Sequence, residues 1–368
     1  MRTYGTGSLW LRKSKKHPKG EWWLRYYAGG RQRKENSKHC ECHTARGRSK
    51  AELMLSRRTA QAQEGTLPST TAKRTLVSDL IQVLFKTLRN EAMQRIPENL
   101  PAPTREWRIA QAEDVLSNQV ARWEKHLAPV FGDRKAALVT KEDIAQYMAD
   151  RLETKARHAT INREIALLKR AYRLGHDRRP RLVSDIPSFP TKLAEFSREG
   201  FIENEVFDKL QGAIKEPGLC ALVLCAYRLG HRKSELQNLL VMQVVDGWLR
   251  LFAGATKNGK ARSVKLPPDV NAVLAECAKG KAPDDYLFTW PDGKPIKDFR
   301  GAWANATKAA GVPNLRFHDL RRSAVRRLRK LGIATATAML ITGHLTRTVF
   351  DDYDKANPDD VAQAAELI

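Results

Sequence analysis

Residues 158–175, HATINREIALLKRAYRLG, fit only one regular structure. Ile161, Ile165, Leu168 and Tyr172 recur at the helical period and share one stripe, while Arg163, Lys169, Arg170 and Arg173 lie off it. A strand would scatter those apolar residues over both faces. The segment is predicted as a core-facing helix with a basic outer face, and it needs other helices to cover its stripe. AEDVLSNQVARWEKHLAPVFG repeats the spacing, and LVTKEDIAQYMADR between them opens on Thr140 as a capping-box N-cap with an acidic first turn. Residues 76–178 are expected to be all helical. Pro180, Pro187 and Pro190 then break the pattern and mark a linker.

Charge says what that basic face is for. The 368 residues carry 65 Lys+Arg against 41 Asp+Glu, a net charge of +24. The matching polyanionic partners are nucleic acid and an anionic membrane surface, and the membrane fits less well because the basic residues are interleaved with complete core patterns instead of forming one amphipathic surface helix. Residues 1–73 alone hold 17 Lys+Arg and 5 Asp+Glu. There, SLWLRK, the turn residues Pro18–Gly20 and EWWLRYYAGG read as short strands, and SKAELMLSRRTAQAQEG as a helix stopped at Gly65. Aromatics interleaved with cations, Arg25 among them, suit phosphate and groove contacts; the plainer reading is a solvated basic face on a small α/β module.

Other classes fit less well. The longest apolar run, LCALVLCAY, is far short of the ~20 residues that a membrane-spanning helix needs. The opening MRTYGTGSLW lacks the apolar core of a signal peptide, so a cytoplasmic, nucleoid-associated protein is expected. Five scattered cysteines, an odd number, read as reduced thiols. His39, Cys40, Cys42 and His43 form half of a possible zinc site, but no second pair lies near and the Cys-x-Cys spacing is tight, so no metal and no other cofactor is expected.

From about residue 195 the texture changes. SREGFIENEVFDKLQGAI opens a helix, GLCALVLCAYRLG is apolar enough to be buried, and GWLRLFAGATKNGKARSVKLP reads as a hairpin turning at Asn258-Gly259. The predicted class is mainly α with small antiparallel β elements. Single residues in this part are ambiguous. Arg232 and Glu235 in LGHRKSEL have the spacing of an ordinary helix-surface pair, and Lys257 beside Asn258-Gly259 could be a solvated turn lysine. RFHDLRRSAVRRLRK is more telling: Leu320, Ala324, Leu328 and Leu331 form its stripe, with His318 and Arg321 together off it, a ready site for a phosphate oxygen. Arg322, Arg326, Arg327, Arg329 and Lys330 read as solvated or phosphate-facing. Tyr353, set among Asp351, Asp352 and Asp354, is either an ordinary amphipathic residue or one activated from elsewhere, since acidic neighbours oppose the ionisation of a phenol.

Taken together these motifs resemble one family. Arg232, Lys257, His318-x-x-Arg321, Gly343-His344 and Tyr353 stand in the order and approximate spacing of the catalytic motifs of the tyrosine recombinases, the phage-integrase family. The match spans about residues 195–355; the helical segment before it is similar to that family's core-binding domain, and the basic module at the start to its arm-type binding domains. Where the family usually has Thr-Gly-Leu-Arg, this chain has Leu229-Gly230-His231-Arg232. The resemblance implies a multidomain layout: an arm-type module (1–73), a core-binding domain (74–180), a linker (181–194), a catalytic domain (195–355) and a tail (356–368).

It also implies roles. Tyr353 would be the nucleophile, Arg232 and Arg321 the phosphate clamp, Lys257 the general acid, His318 and His344 transition-state donors or proton carriers, and Glu235 a structural support. Arg163, Lys169, Arg170, Arg173, Arg322 and Arg25 would meet DNA. The implied activity is site-specific recombination of double-stranded DNA for a phage or other mobile element. It would run through a 3′-phosphotyrosyl link and a Holliday junction, without metal or ATP, in a homotetramer, with DNA-bending and directionality proteins as possible partners. The amphipathic end of the tail (Val361, Ala364, Ala365, Ile368) reads either as a segment that docks on a neighbouring protomer or as a frayed terminus. A type IB topoisomerase resembles the same catalytic set but would relax supercoils without strand exchange. A non-catalytic DNA-binding protein on this fold would show damage in the polar set, and in this chain all six positions hold competent side chains.

Overall fold

The computed structural model describes residues 7–28, 31–37, 44–64, 67, 72, 74–195, 200–256, 259–351, 353 and 365. They fall into two units, one of residues 1–89 with 115–195 and one of residues 90–114 with 196–368.

The first unit opens with an antiparallel sheet in the order β1 (Ser8–Arg12), β2 (Glu21–Ala28), β3 (Arg31–Asn36). Period-2 alternation divides β2 cleanly. Leu24, Tyr26 and Ala28 are buried with Met54, Leu55 and Ala62 of α1 (Ala45–Gln63). Trp23, Arg25 and Tyr27 alternate with them on the opposite face, where Trp10 pairs with Trp23 and the Arg12 guanidinium lies 4.9 Å from the Trp23 ring. Arg25 is exposed and its Nε donates to Ser8 Oγ at 2.9 Å. The His39–His43 cluster lies outside the described residues.

Helices follow: α2 (Val77–Gln94), α3 (Ala102–Arg122), α4 (Ala128–Phe131), α5 (Lys141–Glu153) and α6 (His158–Asp177). The reciprocal cap expected at Thr140 is present, with Asp143 N–H donating to Thr140 Oγ1 and Thr140 N–H to Asp143 Oδ2. Ile161, Ile165, Leu168 and Tyr172 are buried, while Arg163, Arg170 and Arg173 are exposed and the Lys169 ammonium stands 5.4 Å from the Phe189 ring. Glu164 is buried on the same helix, which apolar periodicity does not reveal. Its carboxylate accepts from Tyr147 Oη at 2.8 Å and from Arg151 Nη2 at 2.9 Å, so the charge is paired as a buried charge must be. The proline-marked stretch is held down as well. Asn162 Nδ2 donates to Leu193 O and Asn162 Oδ1 accepts from Leu193 N–H, and Ile186, Phe189 and Leu193 pack on the helical core.

In the second unit α7 (Asn204–Gly212), α8 (Pro217–Leu229) and α9 (Lys233–Gln237) precede a small sheet of β4 (Val244–Val245), β5 (Trp248–Leu251) and β6 (Arg262–Lys265). Then come α10 (Pro268–Ala278), α11 (Arg300–Ala309), α12 (Asp319–Lys330), α13 (Thr335–Thr342) and α14 (Arg347–Asp351). α8 is apolar nearly all round, and its Leu219, Leu222, Val223 and Cys225 sit in the core that the other elements cover.

Two turns differ from the sequence reading. The tight two-residue hairpin is at Asp246-Gly247, between β4 and β5, where both residues have positive φ (52° and 73°) as a type I′ turn requires. At the expected Asn-Gly site the paired strands end at Leu251 and Arg262, leaving 252–261 as a longer connection. β5 and β6 still pair antiparallel across that site, as the hairpin reading requires, and the ladder stops early because of burial: Phe252 and Ala255 leave the sheet to pack with Ile96, Leu100 and Ile109, and left-handed Gly254 (φ 79°) closes against Pro97. Lys257 and Asn258 lie outside the described residues.

The fold class is as expected, mainly helical with two small antiparallel sheets. Among the described residues no helix is long and apolar enough to cross a membrane, and no three His, Cys, Asp or Glu side chains are grouped to hold a metal ion.

Candidate active site

α12 delivers the first pair of polar groups. His318 is its N-cap residue, and Arg321 lies one turn in. The expected stripe is only partly right. Leu320, Ala324 and Leu328 are buried, but Leu331 is 65% exposed, and Val325, Ser323 and Arg326 are buried instead. α12 packs against both α8 and α13, so two faces are covered rather than one. Arg326, read as solvated or phosphate-facing, is buried by the segment just before α7, with its guanidinium 4.3 Å from the Phe201 ring and its Nε donating to Glu203 at 3.2 Å.

Arg321 is 2% exposed. Its Nη1 donates to the carbonyls of Gly230 and Thr342, and its Nη2 to His344 Nε2 at 2.8 Å. A guanidinium has no acceptor. His344 Nε2 must therefore be the unprotonated nitrogen, and His344 Nδ1–H donates to Thr342 Oγ1 at 2.7 Å, which in turn donates to Ala338 O at 2.7 Å. This relay fixes the tautomer. The sequence reading makes His344 a donor to phosphate; that role needs the other tautomer, with Arg321 turned to a phosphate in place of the imidazole.

Arg232 enters from the other side, as the N-cap residue of α9. Its Nη1 donates to Glu235 Oε1 at 2.8 Å, its backbone N–H to Glu235 Oε2 at 3.1 Å and its Nη2 to Gly343 O at 3.3 Å. Glu235 is no surface partner but 4% exposed, and Arg262 Nη2 donates to its Oε2 at 3.0 Å. Burial opposes the charge on Glu235, yet Arg262 and the other cations around it outweigh that and hold its pKa down to about 2. Gly343 is left-handed (φ 73°), and any Cβ there would overlap the Arg262 guanidinium. Sequence reasoning missed Arg262. The available signal was alternation: Arg262, Val264 and Leu266 share a parity, and the latter two are core residues.

Tyr353 closes the cluster. Its hydroxyl lies 2.8 Å from His318 Nε2, its ring centroid 4.9 Å from that of His344, and the Arg322 guanidinium 5.2 Å from the ring. Asp351 is exposed and accepts from Arg347 Nε at 3.0 Å, so this one of the three aspartates is engaged on its own helix. Asp352, Asp354, Lys257 and the tail 356–364 lie outside the described residues. The structure thus brings together Arg232, Glu235, His318, Arg321, Arg322, His344 and Tyr353 around one point of the second unit.

The imidazoles of this site are neutral. Burial, then repulsion by nearby arginines, lowers His318 and takes both His344 and fully buried His231 to about 3. An unfolded chain binds protons near pH 6.5 that these folded sites refuse, so their contribution is complete above 6.5 and lost as pH falls toward 3. Each of His231 and His344 adds a slope of about 1.4 kcal/mol per pH unit inside that window. Denaturant melts should show stability falling between pH 6.5 and 5, before ordinary carboxylates titrate, with the slope reduced by about one proton in His231→Gln. A stability flat over this range would mean that the imidazoles are not buried as neutral groups.

Residues 202–359 match the phage integrase family. Among solved structures, a lambda integrase tetramer bound to a Holliday junction is similar with a TM-score of 0.55 at 15% identity, over 97% of this chain and 98% of that one. A lambda integrase dimer bound to a core site matches with a TM-score of 0.55 at 16% identity, over 77% and 97%. The Tn1549 transposon integrase in complex with circular intermediate DNA matches with a TM-score of 0.53 at 16% identity, over 80% and 99%. No curated protein matches the chain.

Proposed function

We propose that this chain, whose residues 202–359 match the phage integrase family, is a tyrosine recombinase that cuts and rejoins double-stranded DNA through a 3′-phosphotyrosyl intermediate at Tyr353. The observation that carries this reading is the 2.8 Å approach of the Tyr353 hydroxyl to His318 Nε2, beside the buried Arg321 and the Arg232–Glu235 pair. A phosphodiester resists attack because it is anionic, and its charge grows as the pentavalent transition state forms. What it needs most is preorganised cationic donors.

Arg232 and Arg321 serve as the clamp, each able to bond two non-bridging oxygens while staying charged. His318, neutral, takes the phenol proton as Tyr353 Oη bonds to phosphorus. The phosphorus bond to the 5′-oxygen breaks, and Lys257 returns a proton to that oxygen, a step open to an ammonium and closed to a guanidinium. The phosphotyrosyl link conserves the bond energy, so a second 5′-hydroxyl reverses the attack with no nucleotide cofactor. His344 donates once Arg321 has moved onto phosphate.

In this reading residues 1–73 form an arm-type DNA module, whose Trp10, Trp23, Arg12 and Arg25 lie on the sheet face opposite α1. Residues 74–180 form the core-binding domain, with Arg163, Lys169, Arg170 and Arg173 toward DNA, residues 181–194 the linker, 195–355 the catalytic domain and 356–368 a tail for a neighbouring protomer. The working assembly is a tetramer on two paired sites passing through a Holliday junction. The host element is a phage or another mobile element, and the protein acts in the cytoplasm at the nucleoid.

The test uses a nicked duplex recovered from a randomised pool by binding to the protein, so that the short 5′-hydroxyl fragment diffuses away after cleavage and traps the intermediate. In EDTA, a covalent adduct should form, and protease digestion should leave the nucleotide on the peptide that contains Tyr353. DNA that is bound without an adduct, or an adduct on a different residue, would overturn the reading.

A further inference from the structure

Arg262 lies in the stretch from which Lys257 is read and is given no role there, yet it is bound into the centre of the site. At the start of β6 it shares the inward face with Val264, and a cation in that position requires a buried partner. Glu235 is that partner, at 3.0 Å from Arg262 Nη2 through Oε2, while Oε1 holds Arg232 Nη1 at 2.8 Å. The two arginines also grip the same glycine. Arg232 Nη2 bonds Gly343 O at 3.3 Å, and the Arg262 guanidinium fills the place where a Gly343 Cβ would stand.

An arginine facing a carboxylate alone tends to close on it with two parallel bonds. In a buried site that attraction is stronger than in water, and it would draw the Arg232 fork onto Glu235. Arg262 instead shares Oε2 with the Arg232 backbone N–H, and together they close that oxygen to the Arg232 fork. Arg232 is then held through Nη1 alone among its side-chain donors, with Nη2 on a neutral carbonyl that a phosphate can replace.

We propose that Arg262 is a positioning residue for phosphodiester cleavage: by sharing Glu235 and seating Gly343, it prevents Glu235 from capturing Arg232 and leaves that guanidinium able to meet the scissile phosphate. The proposal rests on the reading of Arg232 as a phosphate clamp. It acts through Glu235, which makes it separable from a general contribution to folding.

The experiment is single-turnover cleavage of the nicked duplex, with DNA affinity measured separately, for Arg262→Ala, Arg262→Lys, Glu235→Gln, the double variant Glu235→Gln/Arg262→Ala, and Arg232→Lys. Arg262→Ala should slow cleavage by about 10–100-fold, the usual effect of losing a group that orients a ligand-binding side chain. Affinity should stay within about twofold, because phosphate contacts elsewhere dominate binding. Arg262→Lys should fall between. In the double variant the neutral amide cannot capture Arg232, so cleavage should recover at least about fivefold over Arg262→Ala, a non-additive result that independent structural damage would not give.

Wild-type cleavage by Arg262→Ala, or losses that simply multiply in the double variant, would overturn the proposal. If Arg262→Ala does not fold, Arg262→Lys with and without Glu235→Gln decides by the same recovery. Arg232→Lys separates the positioning role from the clamp on which it depends. Wild-type cleavage by that variant would remove the clamp reading itself, whereas its failure beside an unaffected Arg262→Ala would remove only the positioning role.

Discussion

Tyr353→Phe should abolish adduct formation, by more than about 10⁴-fold, which is the scale on which loss of a catalytic nucleophile is felt. The substitution removes a single oxygen. The ring keeps its place beside His344 and the cluster of Val325, Leu328, Ala338 and Phe350, and the guanidinium of Arg322 still faces it. What disappears is the hydroxyl 2.8 Å from His318 Nε2. DNA affinity should therefore hold within about twofold, since neutralised phosphates and not one phenol set binding. Cleavage in EDTA on the nicked duplex measures the first effect, and a mobility shift on the same duplex the second. Adduct at wild-type level with phenylalanine would require another nucleophile, and the proton-transfer roles of His318 and His344 would fall with the tyrosine.

The second large effect is expected at Arg321. Arg321→Lys keeps the charge and loses the planar fork, and the fork is what the site uses: three of its N–H groups reach Gly230 O, Thr342 O and His344 Nε2 at once. A lysine ammonium on a shorter reach cannot satisfy all three. Cleavage should fall by about 10³-fold, near the upper end for loss of one preorganised transition-state donor. A stability loss of about 1–3 kcal/mol should accompany it for each buried carbonyl left without a donor. Burial and repulsion by Arg232 push the Arg321 guanidinium pKa downward, and a phosphate beside it would favour its charged form. Single-turnover rates and denaturant melts measured side by side would expose the alternative. A variant that is destabilised but cleaves within tenfold of wild type would make Arg321 an architectural residue only.

Much of the fold was legible from residues alone. The stripe Ile161–Tyr172, the Thr140 cap and the apolar α8 are local statements, in which a side-chain period or a cap dictates one backbone state, and all three are found as read. The errors share one cause. Leu331 and Arg326 exchanged places because Leu331 caps α12 instead of lying in it and Arg326 is covered by Phe201 and Glu203, and no single-helix pattern records which distant segments will cover a helix. The hairpin read from Asn-Gly does join β5 to β6, but its ladder stops at Leu251 and Arg262 because Phe252 and Ala255 turn to pack on residues far away in sequence. Asp246-Gly247, with nothing competing for its neighbours, obeyed the turn rule.

The site divides in the same way. Sequence determined which side chains are present, two arginines, two histidines and a tyrosine in the order of the family motifs, because those motifs are local. Tertiary structure alone decided their states. It placed Tyr353 on His318 across 35 residues, turned Glu235 from a surface partner into a buried bridge between Arg232 and Arg262, and fixed the His344 tautomer by aiming Arg321 at it. Those outcomes depend on desolvation and on which charges share a carboxylate, and both arise only when segments distant in the chain are packed together.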